Sequence, residues 1–337
     1  MNLEDVLKSC PKNSTVINNI IKAYHKINND MYKKISVAIS GGADSDDMLD
    51  ICWMCDNNDK IVYVWCDTGL EYQATKDHLK YLEEKYGIEI VRTKAIKPIP
   101  LSCREYGQPF LSKRAADYIS RLQSHGFDFR DGDYNELAKQ YPKAKGALKW
   151  WCNEFGEGSS FNIQRNKWLK EFMIANPPTF KISDKCCKYA KKDVMKKYIK
   201  ENPVDLHMVG VRKAEGGQRA TAYKSCFDQN IDGHDNYRPL FWYKDEDKEA
   251  YEQARNITHS KCYTEYGLKR TGCAGCPFGK DFEMELEIIE KNEPKLFKAV
   301  NNIFGDSYAY TREYKKFCEE MDAKYCSYAT YLSQQQT

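Results

Sequence analysis

Short apolar runs alternate with segments of helical periodicity along the first third of the chain. The runs are apolar or nearly so, and they read ISVAI (35–39), IVYVWCD (61–67) and IEIVRT (88–93). Strands that are buried on both faces of a sheet have this composition. The alternation therefore predicts βαβ units and an α/β fold, built on a doubly wound parallel sheet with helices on both faces.

The segments between the strands carry apolar residues at intervals of three and four. Residues 14–27 predict a helix that Ser14 caps, and residues 73–86 predict another. DDMLDICWMC predicts a helix whose apolar face contains Met48, Leu49, Cys52 and Trp53. Further along, LHMVGV (206–211) predicts a strand that joins the same sheet.

The periodicity breaks up between Pro98 and Phe180, over a stretch too long for a plain loop. We expect residues 103–182 to form a helical insertion within an α/β domain of residues 1–240. Residues 241–337 are expected to form a helical C-terminal region that carries cysteines.

Composition narrows the class of protein. The chain has 337 residues, 42% hydrophobic and 30% charged, which is typical of a globular protein rather than a disordered or fibrous one. A net charge of +3 neither requires nor excludes nucleic acid. The start of the chain lacks a signal-peptide pattern and no run is long enough to cross a bilayer, so we expect a cytoplasmic protein with no membrane partner. In that compartment its 14 cysteines favour metal binding or catalysis over disulfides.

The segment Ser40-Gly41-Gly42-Ala43-Asp44-Ser45 joins the first strand to the next helix. A glycine pair at that junction lets backbone amides approach an anion, and the helix N-terminus adds its positive dipole end. The spacing matches neither a Walker A loop nor the dinucleotide-binding Gly-x-Gly-x-x-Gly. The loop therefore predicts a phosphate site, with a tight βα turn capped by Ser45 as the alternative.

Further segments follow in order: Asp67-Thr68-Gly69, then GVRKAEGGQRA (210–220), then RPLFWYKDED and YGLKRTGCAGCPF. Together with the glycine loop they resemble the PP-loop ATP pyrophosphatases. The nearest subgroup contains phosphoadenosine phosphosulfate (PAPS) reductases, the ATP sulfurylase small subunit and the DNA-phosphorothioation ATPases. The resemblance implies a Rossmann-like fold of the adenine nucleotide alpha hydrolase type, which binds ATP and releases pyrophosphate.

The resemblance also implies a set of ATP-binding residues, namely Ser40, Gly41, Gly42, Asp44, Ser45, Asp67 and Gly69. Asp44, Arg212 and Arg219 are the implied catalytic residues, since arginine supplies forked donors for phosphate or sulfate oxygens. Asp44 is also a candidate Mg²⁺ ligand. For Asp67 the alternatives are contact with the nucleotide or Mg²⁺, or a role as a helix cap.

A second constellation consists of Cys186-Cys187 and the Cys-x-x-Cys pair of Cys273 and Cys276. Spacing alone favours Zn²⁺ as readily as an iron–sulfur cluster. The resemblance to adenylylsulfate (APS) reductases and DNA-phosphorothioation ATPases implies a [4Fe–4S] cluster on these four residues.

The sequence indicates no metal site for the other candidate ligands. Cys52 and Cys55 lie within the apolar pattern of a helix and are expected to pack in the core. The six histidines show no metal-ligand spacing and remain unassigned.

The resemblance implies an enzyme that cleaves ATP between its α and β phosphates and adenylates an acceptor, in sulfur transfer or nucleic-acid modification. The acceptor is DNA, tRNA or a small molecule, a sulfur-donor protein is a further partner, and a homodimer is one option for assembly. The inserted segment with Trp150-Trp151 is expected to select the acceptor.

Two alternatives to this enzyme remain open. One is a PAPS or APS reductase that uses Cys318 or Cys326, although neither cysteine has the Glu-Cys-Gly-x-His context of those enzymes. The other is a non-catalytic module that binds nucleotide and metal.

Overall fold

A computed structural model describes residues 1–216, 222–231 and 233–335, with side chains except at 231 and 326–335. Six strands form one sheet among the described residues: β1 (Ile35–Ile39), β2 (Ile61–Asp67), β3 (Ile90–Lys94), β4 (Leu206–Val209), β5 (Phe227–Ile231) and β6 (His234–Tyr237). Their order across the sheet is β3-β2-β1-β4-β6-β5. Every neighbouring pair is parallel except β5 and β6. The predicted α/β fold with a doubly wound parallel sheet is confirmed, and the antiparallel strand β5 is an addition that the sequence did not predict.

Helices connect and flank these strands. In chain order they are α1 (Leu3–Lys8), α2 (Ser14–Ile27), α3 (Ala43–Cys55), α4 (Gln73–Tyr86), α5 (Ile99–Tyr106), α6 (Lys113–Ser124), α7 (Tyr134–Gln140), α8 (Lys145–Trp151), α9 (Leu169–Ala175), α10 (Lys185–Cys187), α11 (Asp193–Glu201), α12 (Asp245–Arg255), α13 (Lys261–Thr264), α14 (Phe282–Asn292) and α15 (Pro294–Gln335). Among the described residues, no helix combines the length and the apolar character that a bilayer span needs.

Two details of the first helices correct the sequence analysis. Asn13, not Ser14, is the N-cap of α2, because its Oδ1 accepts a hydrogen bond from the Val16 amide at 3.1 Å. Trp53 does not share the buried face of α3, since 39% of its surface is exposed. Cys52 and Cys55 are buried in the core as predicted.

The chain divides into two compact units. Unit 1 consists of Met1–Ile96 and Ala190–Ala274, and unit 2 consists of Lys97–Tyr189 and Gly275–Thr337. Unit 1 contains the sheet, whose central strands bury apolar side chains against α2, α3 and α4. Unit 2 is helical, and Trp150 and Trp151 lie fully inside its core. The indole rings therefore pack the interior of unit 2 rather than its surface.

The strand order places a topological switch point in unit 1. Strand β1 pairs with β2 along one edge and with β4 along the other. Strands β2 and β3 therefore lie on one side of β1, and the later strands lie on its other side. Strands β1 and β4 are parallel, which brings the loops after β1 and β4 to the same end of the sheet. In open α/β sheets this crevice is where ligands bind.

Candidate active site

The loop from Ser40 to Ser45 connects β1 to α3 at this switch point. Gly41 has a φ of +68°, and a Cβ added there would lie 2.8 Å from Cγ2 of Thr75. The loop therefore needs glycine at this position. Gly42 is the N-cap of α3 and has no side chain with which to cap the helix. Ser45 does not cap it either, because its Oγ accepts a hydrogen bond from the Ser40 amide at 2.9 Å.

Hydroxyl groups occupy the space in front of the loop amides. The Gly42 amide donates to Oγ of Ser40 at 3.3 Å, and the Ala43 amide donates to the phenol oxygen of Tyr263 at 3.2 Å. The Tyr263 hydroxyl also lies 3.1 Å from Oγ1 of Thr271. The hydrogen bonds that these two amides donate are long for N–H···O contacts. A phosphate oxygen is a stronger acceptor and can therefore replace the hydroxyls.

An open cavity of about 260 Å³ lies over this loop. Its lining comes from the loops after β1 and β4 and from later segments of unit 1: Ser40, Gly42, Ala43, Asp44, Ser45, Gly210, Arg212, Glu215, Lys248, Tyr263, Lys269, Arg270 and Thr271. Four of these side chains are basic and two are acidic. The cavity therefore combines an open helix N-terminus with a positive lining, as an anion site requires.

Arg212 lies at the centre of the charged lining. Its Nε donates to Oδ1 of Asp44 at 2.9 Å, and its Nη1 donates to Oδ1 of Asp245 at 2.8 Å. Burial raises the pKa of Asp44, while Arg212 and Lys248 oppose that shift. The Asp245 side chain is 79% exposed, so water can solvate it when it leaves Arg212. A phosphate that enters the cavity can therefore replace Asp245 as the partner of Arg212.

Two further predicted ligands of the nucleotide, Asp67 and Gly69, are not among the residues that line the cavity. Oδ1 of Asp67 accepts a hydrogen bond from the Gly69 amide at 2.9 Å, and neither residue lines the cavity. Asp67 is not a helix cap, because α4 begins at Gln73 with Tyr72 as its N-cap. Arg219 lies outside the described residues.

A buried carboxylate that sequence reasoning missed lies beside Asp67. Glu71 accepts hydrogen bonds from the amides of Thr68 at 2.9 Å and Leu70 at 3.1 Å. Burial raises the pKa of Glu71, against the effect of its bonds to Thr68. Since the Thr68 hydroxyl lies 3.8 Å from Sγ of Cys273, this network connects the end of β2 to the first cysteine of the Cys-x-x-Cys pair.

Helix α3 also buries carboxylates that sequence reasoning did not assign. Asp46 faces two histidines, with its Oδ2 3.0 Å from Nε2 of His78 and 2.9 Å from Nδ1 of His259. Burial alone would lower the pKa of His259, but its bonds to Asp46 and Glu252 outweigh that effect and raise the pKa to about 9. The segment DSDDMLD could have indicated these buried carboxylates, since its acidic residues lie on the same helix as residues of the apolar core.

Three of the four predicted cluster cysteines lie in unit 2. The thiol of Cys186 hydrogen-bonds with those of Cys103 and Cys187, and Cys276 lies near enough to act on it electrostatically. The hydrogen bond with Cys103 has the largest effect and, with burial, raises the pKa of Cys186, while the bond with Cys187 lowers it. Thiolates are the ligands that a [4Fe–4S] cluster or Zn²⁺ prefers. The sequence did not single out Cys103.

Cys276 follows a turn at Gly275 whose backbone is fixed by side chains of unit 2. Gly275 has a φ of +59°, and its amide donates to Oε1 of Glu285 at 3.1 Å. The Tyr308 hydroxyl donates to the Gly275 carbonyl oxygen. Both backbone groups of this glycine are therefore fixed.

Cys318, the alternative nucleophile, has few of the features of a reactive thiol. Its Sγ donates to the Lys167 carbonyl oxygen at 3.5 Å. Burial raises the pKa of Cys318, which lowers the fraction of thiolate at neutral pH. The side chain of Cys326 lies outside the described residues.

Comparison with known proteins follows the same segments of the chain. The family model of the phosphoadenosine phosphosulfate reductase domain matches residues 34–123 and 157–279, more than half of the chain. An uncharacterised protein of Methanocaldococcus jannaschii, MJ0066, is 26% identical over 306 residues, which cover 90% of this chain and 47% of that protein. The chain thus spans about half the length of this curated relative.

Solved structures show weaker similarity. A PAPS reductase from Candida auris, in a phosphate complex, is 12% identical with a TM-score of 0.40, over 78% of this chain and 89% of that one. The U34-tRNA thiolase NcsA from Methanococcus maripaludis, with its [4Fe–4S] cluster, is 14% identical with a TM-score of 0.37. That match covers 90% of this chain and 80% of the thiolase.

Proposed function

We propose that this chain, which belongs to the phosphoadenosine phosphosulfate reductase domain family, binds ATP and cleaves it between the α and β phosphates. The adenylyl group passes to an acceptor and pyrophosphate leaves. The observation that carries this proposal is the cavity at the switch point of the sheet. There a glycine loop, the N-terminus of α3 and four basic side chains face the same space.

The proposed chemistry needs stabilisation of negative charge more than it needs a covalent catalyst. An oxygen of the acceptor attacks the α phosphorus and gives up its proton, and the bond to the α,β-bridging oxygen breaks. Negative charge then grows on the departing pyrophosphate. Loop amides from Gly42 onward and the side chains of Arg212 and Lys248 are positioned to bind it.

Asp44 is the residue that we assign to Mg²⁺. Its carboxylate lines the cavity and offers the hard oxygen donor that this ion prefers. Mg²⁺ bound there would neutralise charge on the phosphates. Asp44 also orients Arg212 through the contact at 2.9 Å, so it supports the anion site from the protein side.

We assign the [4Fe–4S] cluster to Cys186, Cys187, Cys273 and Cys276, as the family resemblance implies. The grouping of Cys186 with two other thiols in unit 2 supports a thiolate-bound metal group. Such a cluster would supply iron for structure or for sulfur chemistry, and the adenylyl transfer itself uses the oxygen and nitrogen groups of unit 1. A cytoplasmic location, where thiols stay reduced, is part of this proposal.

The acceptor and partners remain those that the sequence suggests. We propose DNA, tRNA or a small molecule as the acceptor, with a sulfur-donor protein as a further partner. A homodimer is one option for the assembly. Because Trp150 and Trp151 are buried, selection of the acceptor falls to other residues of the inserted segment.

An assay of the products tests this function. The chain, purified without oxygen, is incubated with ATP and Mg²⁺ in the presence of tRNA, DNA or a metabolite extract. AMP, ADP and pyrophosphate are then separated and measured. We expect one pyrophosphate for each adenylyl group transferred with at least one acceptor, and that group is recovered as adenylated acceptor or, after its displacement, as AMP.

Other products would contradict the proposal and identify an alternative. Sulfite released from PAPS or APS with thioredoxin would indicate a sulfonucleotide reductase. Tight ATP binding without any product would indicate a nucleotide-binding module. ADP with phosphate would show cleavage at the β,γ bond, which the proposal excludes.

A further inference from the structure

Three side chains of metal-binding type meet in unit 1 outside the cavity lining. Asp47 on α3, Glu252 on α12 and His259 each place one ligand atom within 4.8 Å of the other two. Asp47 is buried, and the other two are partly buried. The candidate active site and the proposed cysteine cluster use none of these three residues.

Asp47 is the observation that points to a ligand. Its side chain is fully buried, yet neither carboxylate oxygen has a hydrogen-bond partner among the described residues. The cation beside it, Nζ of Lys248, lies 3.6 Å from Oδ2, beyond hydrogen-bond range. A buried carboxylate without such partners lowers the stability of the fold, so the Asp47 side chain indicates a bound group at this position.

His259 is oriented as a metal ligand. Its Nδ1 lies 2.9 Å from Oδ2 of Asp46, and its Nε2 lies 2.7 Å from Oε1 of Glu252. Histidines that bind metal through one ring nitrogen commonly donate the other N–H to a carboxylate, which fixes the tautomer. Asp46 can play that second role, leaving Nε2 directed at Glu252.

The charges of the pocket agree with a bound divalent ion. The carboxylates of Asp46, Asp47 and Glu252 surround this space, and Lys248 contacts two of them, Asp47 and Glu252. A neutral His259 with one divalent cation and the Lys248 ammonium balances the three negative charges.

We propose that Asp47, Glu252 and His259 bind a divalent first-row transition ion. The ion takes the place of the proton on Nε2 of His259, and that proton passes to solvent. One imidazole with two carboxylates suits Mn²⁺, Fe²⁺ or Zn²⁺ better than Mg²⁺ or Ca²⁺, which prefer oxygen ligands alone. The site is separate from any ion that enters with ATP, because none of its three ligands lines the cavity.

Lys248 connects this site to the cavity. Its Nζ lies 3.6 Å from Oδ2 of Asp47 and 3.7 Å from Oδ1 of Asp44, and it also lines the cavity. An ion bound to Asp47 repels the ammonium group and directs it toward the side of Asp44. Occupancy of the metal site therefore increases the positive charge available to an anion in the cavity.

Mn²⁺ is the probe that tests the proposal, since it disfavours the thiolate ligands of the cysteine group. The full chain is freed of metal with a chelator and titrated with Mn²⁺ in the absence of nucleotide. Free Mn²⁺ is followed by electron paramagnetic resonance, and thermal unfolding is recorded with and without the ion. We expect one ion per chain and a higher melting temperature with Mn²⁺.

Matched variants locate the bound ion. Asp47→Asn and Glu252→Gln should each weaken Mn²⁺ binding by about tenfold or more and remove the thermal shift. Glu249→Gln changes an exposed carboxylate on the same helix and should bind as the wild type does. Asp47→Asn should also fold at least as stably as the metal-free wild type, because it removes a buried charge without a hydrogen-bond partner.

Three outcomes would overturn the proposal. The first is that the wild type takes up no Mn²⁺ in this assay. The second is that Asp47→Asn and Glu252→Gln, if both fold, bind the ion as tightly as the wild type. The third is that Glu249→Gln weakens binding as much as Glu252→Gln, which would indicate general surface charge. None of these readouts involves ATP turnover, so failure of the proposed function leaves this test intact.

Discussion

Gly210 lies directly against the backbone of Asp44, so that a Cβ on residue 210 would stand 2.9 Å from the Asp44 carbonyl oxygen. The same Cβ would lie 3.3 Å from the Asp44 carbonyl carbon and 3.4 Å from Cα of Ser45. All three neighbours are backbone atoms, which cannot rotate away. The end of β4 and the first turn of α3 therefore approach each other as closely as the chain allows, and this approach shapes the cavity.

The first prediction follows from that contact. Gly210→Ala must push the loop after β4 away from α3, and we expect a loss of about 1–3 kcal/mol in the free energy of unfolding. ATP affinity should fall by about tenfold or more, because Arg212 moves with the loop. Denaturant unfolding and calorimetric ATP titration measure the two effects. Gly146→Ala is the control, since a Cβ there has no neighbour within 4 Å, and it should lose neither stability nor ATP affinity.

The second prediction concerns Arg212. Lysine keeps the charge but loses the forked donors that hold Asp44 and Asp245 together, so Arg212→Lys should lower kcat/KM for AMP formation by about 10- to 100-fold. Arg121→Lys is the matched control, because Arg121 forms an exposed pair with Asp117 on α6. Equal activity of the two variants would show that the forked donors of Arg212 do not contribute to the reaction.

The third prediction concerns pH and His207. Burial lowers the pKa of this histidine from 6.5 to about 4, and its Nδ1 lies 2.8 Å from the Ser36 hydroxyl. Since the unfolded chain takes up the proton first, the stabilisation is complete above pH 6.5 and is lost as the pH falls toward 4. The wild type should lose about 3 kcal/mol over this range through His207 alone.

Comparison of variants isolates that effect from the carboxylates that titrate nearby. His207→Gln should show a shallower loss of stability between pH 6.5 and 4 than the wild type. His125→Gln changes an exposed histidine and should follow the wild-type curve. Parallel curves for all three proteins would show that His207 does not contribute.

The fourth prediction separates the two cysteine groups. Cys276→Ala should lose most of the iron and acid-labile sulfide of an anaerobic preparation, because it removes a proposed cluster ligand. Cys52→Ala should retain both, since Cys52 is a packed core residue of α3. Iron that stays in Cys276→Ala, or zinc without iron in the wild type, would contradict the cluster assignment.

Local patterns predicted the centre of the sheet well. The apolar runs of β1 and β2 were found with their observed bounds, and the glycine loop was found because its chemistry depends on adjacent residues. The β5–β6 hairpin was missed, since FDQNI and HDNY are polar and lack the composition of a buried strand. The pairing of β6 with β4, rather than the local strand preference of these residues, brings the hairpin into the sheet.

Contacts between distant segments could not be predicted from local patterns. His259 meets Asp46 from 213 residues away along the chain, and spacing rules for metal ligands do not extend that far. Cys103 was missed for the same reason, because its partner Cys186 belongs to a different helix. The position of Trp53 was predicted wrongly because the buried residues of α3 include acidic as well as apolar side chains. The spacing of apolar residues alone therefore did not identify the buried face of this helix.

A crystal structure with α,β-methylene ATP tests the central claim most directly, because this analogue cannot be cleaved at the α,β bond. We predict that its β and γ phosphate oxygens accept hydrogen bonds from the amides of the Ser40–Ser45 loop, displacing the hydroxyls of Ser40 and Tyr263, with Arg212 in contact. A triphosphate bound elsewhere, with both hydroxyls still on the loop amides, would contradict the account.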